Sequence, residues 1–161
     1  MRCSAGSVAF KDGATTLGTV TLASGTAAFS VSTPAVGAHS ITAVYGGGTD
    51  FSPSMSTAVA HTVNKAKTTT TVTSTPNPST SGQAVTITAA VKGAFGGNPS
   101  GTVAFKDGTT TIGTGAVSTT THQATFVTSS LSAGTHNITA AYGGDEHYLT
   151  SASAIVKQVV Q

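Results

Sequence analysis

The sequence predicts an all-β chain of two sandwich-like units, and three observations support this prediction. One stretch occurs twice, as GAHSITAVYGG from Gly37 and as GTHNITAAYGG from Gly134. Apolar and polar residues alternate in both copies, which is typical of a half-buried strand. Charged residues make up only 7% of the chain, so Ser and Thr must form the surface, and β-branched Thr suits an exposed strand face. We expect the repeated stretch to be the central strand of each unit.

The composition limits the partners that the chain can have. The formal net charge is +2, and the seven Lys and Arg residues are scattered, which argues against binding to nucleic acid. The apolar runs are far shorter than the roughly 20 residues that span a bilayer, so no membrane insertion is expected. The single cysteine, Cys3, permits no internal disulfide, and this fits either a reducing or an oxidising compartment.

Five strands are expected in the first unit. The segment GSVAFKD begins it and ends in a turn at Asp12 and Gly13. In the repeated stretch, His39, Ile41 and Tyr45 share one face. The expected strands cover residues 6–12, 16–22, 26–32, 38–45 and 55–63.

The second unit begins after a short polar link at residues 64–67, which contains neither Gly nor Pro and should hold two units with limited freedom. TTTTVTSTP is the first expected strand, and a turn with two prolines and a glycine follows it. Residues 83–92 give the clearest strand of the chain, with Val85, Ile87 and Val91 on one face.

The earlier pattern then begins again. GTVAFKDGTTTIGT from Gly101 repeats GSVAFKDGATTLGT from Gly6, which gives an internal period of about 95 residues. That length, with about seven short strands between frequent turns, is typical of an immunoglobulin-like sandwich. The fold class predicted is therefore all-β, with tandem immunoglobulin-like β-sandwiches.

These motifs also carry a family resemblance. The pairing of G[ST]VAFKDG with G[AT]H[SN]ITA[VA]YGG, each present twice, resembles the bacterial immunoglobulin-like (Big-type) repeats that occur in tandem in large cell-surface and secreted proteins. The resemblance covers essentially the whole chain. It implies a structural spacer or adhesion role outside the cell, and it brings no known catalytic residues.

The first unit is expected to be incomplete. Residues 67–161 form a full unit, but residues 1–66 lack a counterpart of the two strands that precede GTVAFKDG. The second of those strands carries Val85, Ile87 and Val91, and losing such side chains costs about 1.5 to 3 kcal/mol each. A typical domain is stable by only roughly 5 to 15 kcal/mol. We therefore expect the first unit to be marginally folded when alone.

An open sheet of this kind invites a strand from elsewhere. Residues 68–92 cannot fold back to complete the first unit, because a link of about three residues spans only about 10 Å, less than the length of a strand. Two sources of strands stay open, namely neighbouring repeats of a longer array and a strand-exchanged homodimer. No apolar segment of about 7 to 15 residues begins the chain, so we expect no signal peptide here and a place within a longer exported protein.

The two matched aromatic and imidazole pairs are expected to be structural. His39 and His136 occupy alternate strand positions that are expected to face the core, and neither has partners at metal-ligand spacing. Each ring should therefore close one end of a core. Tyr45 and Tyr142 should be core residues whose hydroxyls reach a loop.

The acidic residues offer only a weak metal hypothesis. Asp145 and Glu146, with Asp50 in the other copy, are candidates for a calcium site, but two adjacent carboxylates are few for an ion that takes six to eight oxygens. The family's usual acidic position after the Gly pair is Asp145 in the second copy but Gly48 in the first. Asp12 and Asp107 precede Gly in matched hairpins, where turn chemistry explains them. No catalytic motif and no cofactor are expected.

The resulting functional hypothesis is a non-catalytic spacer module of a bacterial cell-surface or secreted protein, which supports adhesion or display. The alternative is a ligand-binding module for a surface glycan or a protein partner, in an adhesin or beside a secreted hydrolase. That alternative predicts an exposed aromatic patch. Most of the six Phe and three Tyr occupy core-facing strand positions, so few are left to build one. An enzyme would require a cleft that holds a titratable group of strongly perturbed pKa.

Overall fold

The computed structural model describes residues 6–161, which consist of strands, turns and one 3₁₀ turn at Ala94–Gly96. The chain divides into two compact units, Met1–Asn64 and Lys65–Gln161, which we call the first and the second unit. In the described part of the chain, no helix is long and apolar enough to cross a membrane. Cys3 lies outside the described residues.

The first unit forms one antiparallel sheet within residues 6–64. Its strands are β1 (Ser7–Asp12), β2 (Thr15–Thr21), β3 (Gly37–Tyr45), β4 (Ser54–Met55) and β5 (Val59–Val63). The central strand is β3, which pairs with β1 on one side and with β4 and β5 on the other, while β2 pairs with β1. The repeated stretch therefore occupies the central position that its alternation predicts.

The second unit forms two sheets. Its strands are β6 (Thr68–Thr75), β7 (Val85–Gly93), β8 (Thr102–Asp107), β9 (Thr110–Ala116), β10 (Gln123–Thr128), β11 (Gly134–Tyr142), β12 (Ser151–Ala152) and β13 (Val156–Val160). One sheet has the order β10-β7-β6, and the other has the order β12-β11-β8-β9 with β13 also paired to β11. Every pair of these strands is antiparallel. A parallel bridge between Ser79 and Val160 links the start of the unit to its last strand.

The core of the second unit lies between its two sheets. Strand β7 contributes Val85, Ile87, Ala89 and Val91, of which none is more than 1% exposed. Strands β8 and β11 face them with side chains of one buried cluster, among them Phe105. The strict alternation of β7 was readable in the sequence, and a central strand with one buried face explains it.

The first unit has a sheet but no closed core. None of residues 6–64 is buried, whereas every buried hydrophobic residue of the described chain lies in the second unit. The residues of the first unit that match the second unit's core, such as Phe10 and Ile41, are only half-buried. The inner face of a sheet becomes dry only when a second layer covers it, and the described part of the first unit contains no such layer.

The expected strand over residues 26–32 is not formed. Its counterpart in the second unit is β10, which pairs only with β7. A strand needs a neighbour to satisfy its backbone N–H and C=O groups, and residues 6–64 contain no strand equivalent to β7. The strand-favouring composition of residues 26–32 is therefore not sufficient to form a strand, and this part of the prediction is wrong.

The strand expected over residues 55–63 of the first unit is also interrupted, and the corresponding part of the second unit is interrupted in the same way. In the second unit the break falls between β12 and β13, where the Ser153 hydroxyl accepts a hydrogen bond from the Ala140 amide at 3.0 Å and donates to the Ala154 carbonyl at 2.8 Å. In the first unit the Ser56 hydroxyl does the same between β4 and β5. The side chain replaces one backbone partner of the ladder, and the strand divides there.

In each unit, a phenylalanine ring lies over a glycine of an edge strand. In the second unit Phe126 stacks on Phe105 with the ring centroids 5.9 Å apart. A Cβ atom on Gly113 would lie 2.2 Å from Cε2 of Phe126. Gly18 and Phe29 form the matching contact at 2.4 Å, but Phe29 is 39% exposed.

We expect Gly113→Ala to destabilise the second unit by about 1 to 3 kcal/mol, because the added methyl group displaces a ring that is packed against the core. Gly18→Ala is the matched control, and there the exposed Phe29 ring is free to move aside. Urea unfolding monitored by amide resonances of each unit measures both effects. Equal destabilisation by the two substitutions would contradict this account of the contact.

Candidate functional site

Each unit contains a histidine that is held by an aspartate on the neighbouring strand. In the second unit, Nδ1 of His136 lies 2.6 Å from Oδ2 of Asp107, and Nε2 lies 2.9 Å from the Ser132 carbonyl oxygen. The other Asp107 oxygen accepts the Asn137 amide at 3.0 Å. We call this arrangement the His–Asp lock, because it ties the hairpin turn after β8 to the beginning of β11.

The first unit forms the same His–Asp lock. Nδ1 of His39 lies 2.6 Å from Oδ2 of Asp12, and Nε2 lies 2.8 Å from the Ala35 carbonyl oxygen. The second Asp12 oxygen accepts the Ser40 amide at 2.8 Å. All of these partners belong to β1, β3 and the segment that leads into β3, so the lock forms without a second sheet.

Two acceptors face each imidazole, and they favour its protonated form. A carboxylate and a carbonyl oxygen only accept hydrogen bonds, so both contacts are satisfied together when both ring nitrogens carry hydrogen, as in the imidazolium form. The hydrogen bonds to Ser132 and then Asp107 raise the pKa of His136, and those to Asp12 and then Ala35 raise the pKa of His39. A ring in this state has no free lone pair with which to bind a metal or to accept a proton from a substrate.

Asp145 binds together the loops at one end of the second unit. Its Oδ2 accepts the backbone N–H and the hydroxyl of Ser100, both at 2.8 Å. Its Oδ1 accepts the amides of His147 and Tyr148, also at 2.8 Å. Burial opposes the charge, but the hydrogen bonds from Ser100, His147 and Tyr148 outweigh it and lower the pKa of Asp145 to about 2.

Tyr142 lies beside this carboxylate at the end of β11. Its side chain is 2% exposed. Burial and then the negative charge of Asp145 raise the pKa of Tyr142 to about 12. The two shifts keep the phenol neutral and the carboxylate ionised throughout the physiological pH range. Neither group therefore has a pKa suited to proton transfer near neutral pH.

The calcium candidates are placed differently from one another. Asp145 is surrounded by N–H and O–H donors, Glu146 is exposed, and Asp50 lies in an exposed turn of the first unit. Residues 6–161 contain no group of three or more His, Cys, Asp or Glu side chains that could hold a metal ion. A cation at Asp145 would have to displace four hydrogen bonds that the fold already uses.

Sequence reasoning missed two features of this geometry. Asp12 and Asp107 were assigned to turn chemistry alone, although each recurs with its histidine in both copies, and that joint recurrence was the available signal. Phe95 was not singled out, yet its side chain is fully exposed and its backbone has φ 58, a left-handed conformation that is unusual for a bulky residue.

The uncovered face of the first unit forms an apolar cavity of about 380 Å³. The hydrophobic residues around it include Phe10, Phe29, Val31 and Ile41, and His39 also lines it. Phe10 and Phe29 stack with their centroids 5.8 Å apart. The cavity therefore occupies the position of the core that the second unit closes.

One family of known proteins matches most of this chain. A family model described as bacterial Ig-like domain (group 3) matches residues 2–64 and 72–161. A solved structure of the fibronectin(III)-like modules of Clostridium thermocellum CbhA aligns with a TM-score of 0.46 and 20% sequence identity, over 100% of this chain and 81% of that one. No curated protein matches the chain significantly.

We expect the stability of the second unit to decrease as the pH rises above about 6.5, the unfolded pKa of histidine. The pKa of His136 is raised in the folded state, so its contribution is complete below the unfolded pKa of about 6.5 and is lost as the pH rises through the folded value. Urea unfolding at several pH values, followed by amide resonances of β11, measures this decrease. His136→Gln should abolish it, whereas His147→Gln, which removes an exposed imidazole, should preserve it. An unchanged slope in His136→Gln would show that the lock does not cause the pH dependence.

We expect Asp145→Ala to destabilise the second unit by about 1 to 2 kcal/mol, since it leaves four donors without their acceptor and the site is only partly buried. The pKa of Asp145 is lowered to about 2, so its contribution is present above about pH 4 and disappears as the pH falls toward 2. Acid titration of the unfolding free energy tests this. Glu146→Ala removes the adjacent exposed carboxylate and should change the stability by less than about 0.5 kcal/mol. Equal effects of the two substitutions would contradict the assignment.

Proposed function

The chain belongs to the bacterial Ig-like domains of group 3, and from that premise we propose that it is a non-catalytic spacer module of a cell-surface or secreted bacterial protein. In this role the module supports adhesion or display by carrying another part of the protein away from the surface. Neighbouring Ig-like repeats of a longer array are its partners. The motif resemblance to repeats of large surface proteins supports an extracellular location.

The observation that carries this proposal is the use that the fold makes of its polar groups. In the second unit, the polar side-chain atoms of His136, Asp107 and Asp145 are hydrogen-bonded to backbone groups, to the Ser100 hydroxyl or, in the His136–Asp107 pair, to each other. Functional sites usually keep such groups accessible and tune their pKa values toward neutrality. Here the strongest shifts lead away from neutral pH, which supports a structural role rather than an enzymatic one.

A glycan-binding or protein-binding module is the second candidate, and Phe95 favours it. The ring is fully exposed on the 3₁₀ turn after β7, and Lys67 and Lys92 line the same shallow depression. An exposed aromatic side chain on a strained turn is a common element of a carbohydrate or protein contact. A single ring is a smaller surface than the aromatic patch expected for a dedicated binding module.

A display experiment tests the spacer proposal. The chain is placed between a cell-wall anchor and a reporter domain, and the binding of an antibody-coated bead to the reporter is compared with that for a Gly/Ser tether of equal length. A flexible tether samples many collapsed lengths, so we expect the folded chain to give the higher bead binding. Equal binding for the two linkers would count against a spacer role.

Sedimentation with insoluble peptidoglycan, chitin and cellulose distinguishes the second candidate. A spacer stays in the supernatant with all three polymers. A binding module sediments with at least one of them, and Phe95→Ala should then release it. The matched control is Val127→Ala, which shortens another exposed apolar side chain of the second unit.

A further inference from the structure

The uncovered face of the first unit is a preformed surface with a known complement. We define the acceptor face as the inward side chains of β1 and β3, namely Phe10, Ile41, Ala43 and Tyr45. All four are half-buried. Their counterparts Phe105, Ile138, Ala140 and Tyr142 in the second unit are at most 2% exposed.

The second unit shows what covers such a face. Strand β7 lies opposite it and buries Val85, Ile87, Ala89 and Val91 completely. Strand β6 pairs along the outer edge of β7, from Thr68 opposite Gly93 to Thr75 opposite Thr86. The complement of the face is therefore a two-stranded segment whose inner strand carries small or branched apolar residues at every second position.

We propose that the acceptor face binds a two-stranded β-segment of the β6–β7 type. A separate polypeptide segment supplies it, and Thr68–Gly93 of the same chain does not. This interaction goes beyond a spacer role and does not depend on it. The occupant is recognised by alternating Val, Ile and Ala side chains on one face and by unpaired backbone groups on its inner strand.

The register of this pairing follows from the second unit. There β10 pairs with β7, and Phe126 lies opposite Ile87. Phe29 is the counterpart of Phe126 and stacks on Phe10 just as Phe126 stacks on Phe105. Residues 26–32 are therefore poised to become a strand beside the occupant, with Phe29 opposite the residue equivalent to Ile87.

The energetics argue against β6–β7 of a second copy as the occupant. That hairpin already contributes the central strand of its own sandwich, where Val85, Ile87 and Val91 are buried. Its transfer would close one core by opening another and would gain no net burial. A separate segment with the same pattern closes the first unit at no such cost.

A synthetic peptide of residues 67–93 is the probe, added to the intact 161-residue chain at up to about 1 mM. Hydrogen exchange with residue resolution reads out both units. We expect amides of β1, β3 and residues 26–32 to exchange at least about tenfold more slowly with the peptide than without it. Amides of β8 and β11 should be unaffected, because the second unit already has its own β7.

Two controls separate specific docking from general stickiness. A peptide with Val85→Thr, Ile87→Thr and Val91→Thr keeps the β-branched shape but loses the apolar face, so it should give no protection. In the chain, Ala43→Asp places a charge on the acceptor face and should abolish the response, whereas Thr42→Asp on the opposite face should retain it. Together these results would support the proposal even if one variant altered the folding of the sheet.

Three results would overturn the proposal. One is unchanged exchange of the first unit at the highest peptide concentration. Another is equal protection by the native and the Thr-substituted peptides. The third is protection of the acceptor face without peptide in a chain that sediments as a dimer, which would assign the face to a second copy.

Discussion

Coverage of the inner face of one sheet is the constraint on which this structure depends. In the second unit, β7 provides the cover, and its four alternating apolar side chains convert the β8 and β11 face into a dry core. The burial of a few such side chains is comparable in free energy to the whole stability of a small domain. Where no equivalent of β7 is present, as in residues 6–64, related residues form a sheet whose inner face is only half-buried.

The comparison between the units separates local from non-local interactions. The His–Asp lock has nearly the same distances in both units, because its members belong to one sheet and the segment that leads into it. The side-chain hydroxyl that interrupts the last strand is likewise present in both. The burial of Phe10 and Phe105 differs, because that property depends on a second layer of distant sequence. The polar contacts therefore fix the sheet, while the apolar contacts decide whether it becomes a domain.

This division also explains what the sequence could predict. Strand positions and the buried face of β7 followed from period-two alternation, which is a local signal. The strand expected over residues 26–32 is not formed, because a strand needs a neighbouring strand to pair with. Local β-propensity contains no information about whether such a neighbour is present. The roles of Ser153 and Asp145 could not be predicted, since hydroxyl groups and loop carboxylates are common and their backbone partners are defined only by the folded loops. The His–Asp lock was within reach, because both members recur together in the two copies.

The matched motifs also show that a residue's burial is a property of topology rather than of the motif. The stretch GTHNITAAY supplies the fully buried Ile138 and Ala140, whereas GAHSITAVY supplies the half-buried Ile41 and Ala43. The same letters are core in one unit and accessible surface in the other. Because β1 and β3 are already paired and locked, a docking strand would not have to order them, and most of its binding free energy would come from apolar burial. An unclosed unit of this family is thus best understood as one paired sheet of a sandwich with a defined complement.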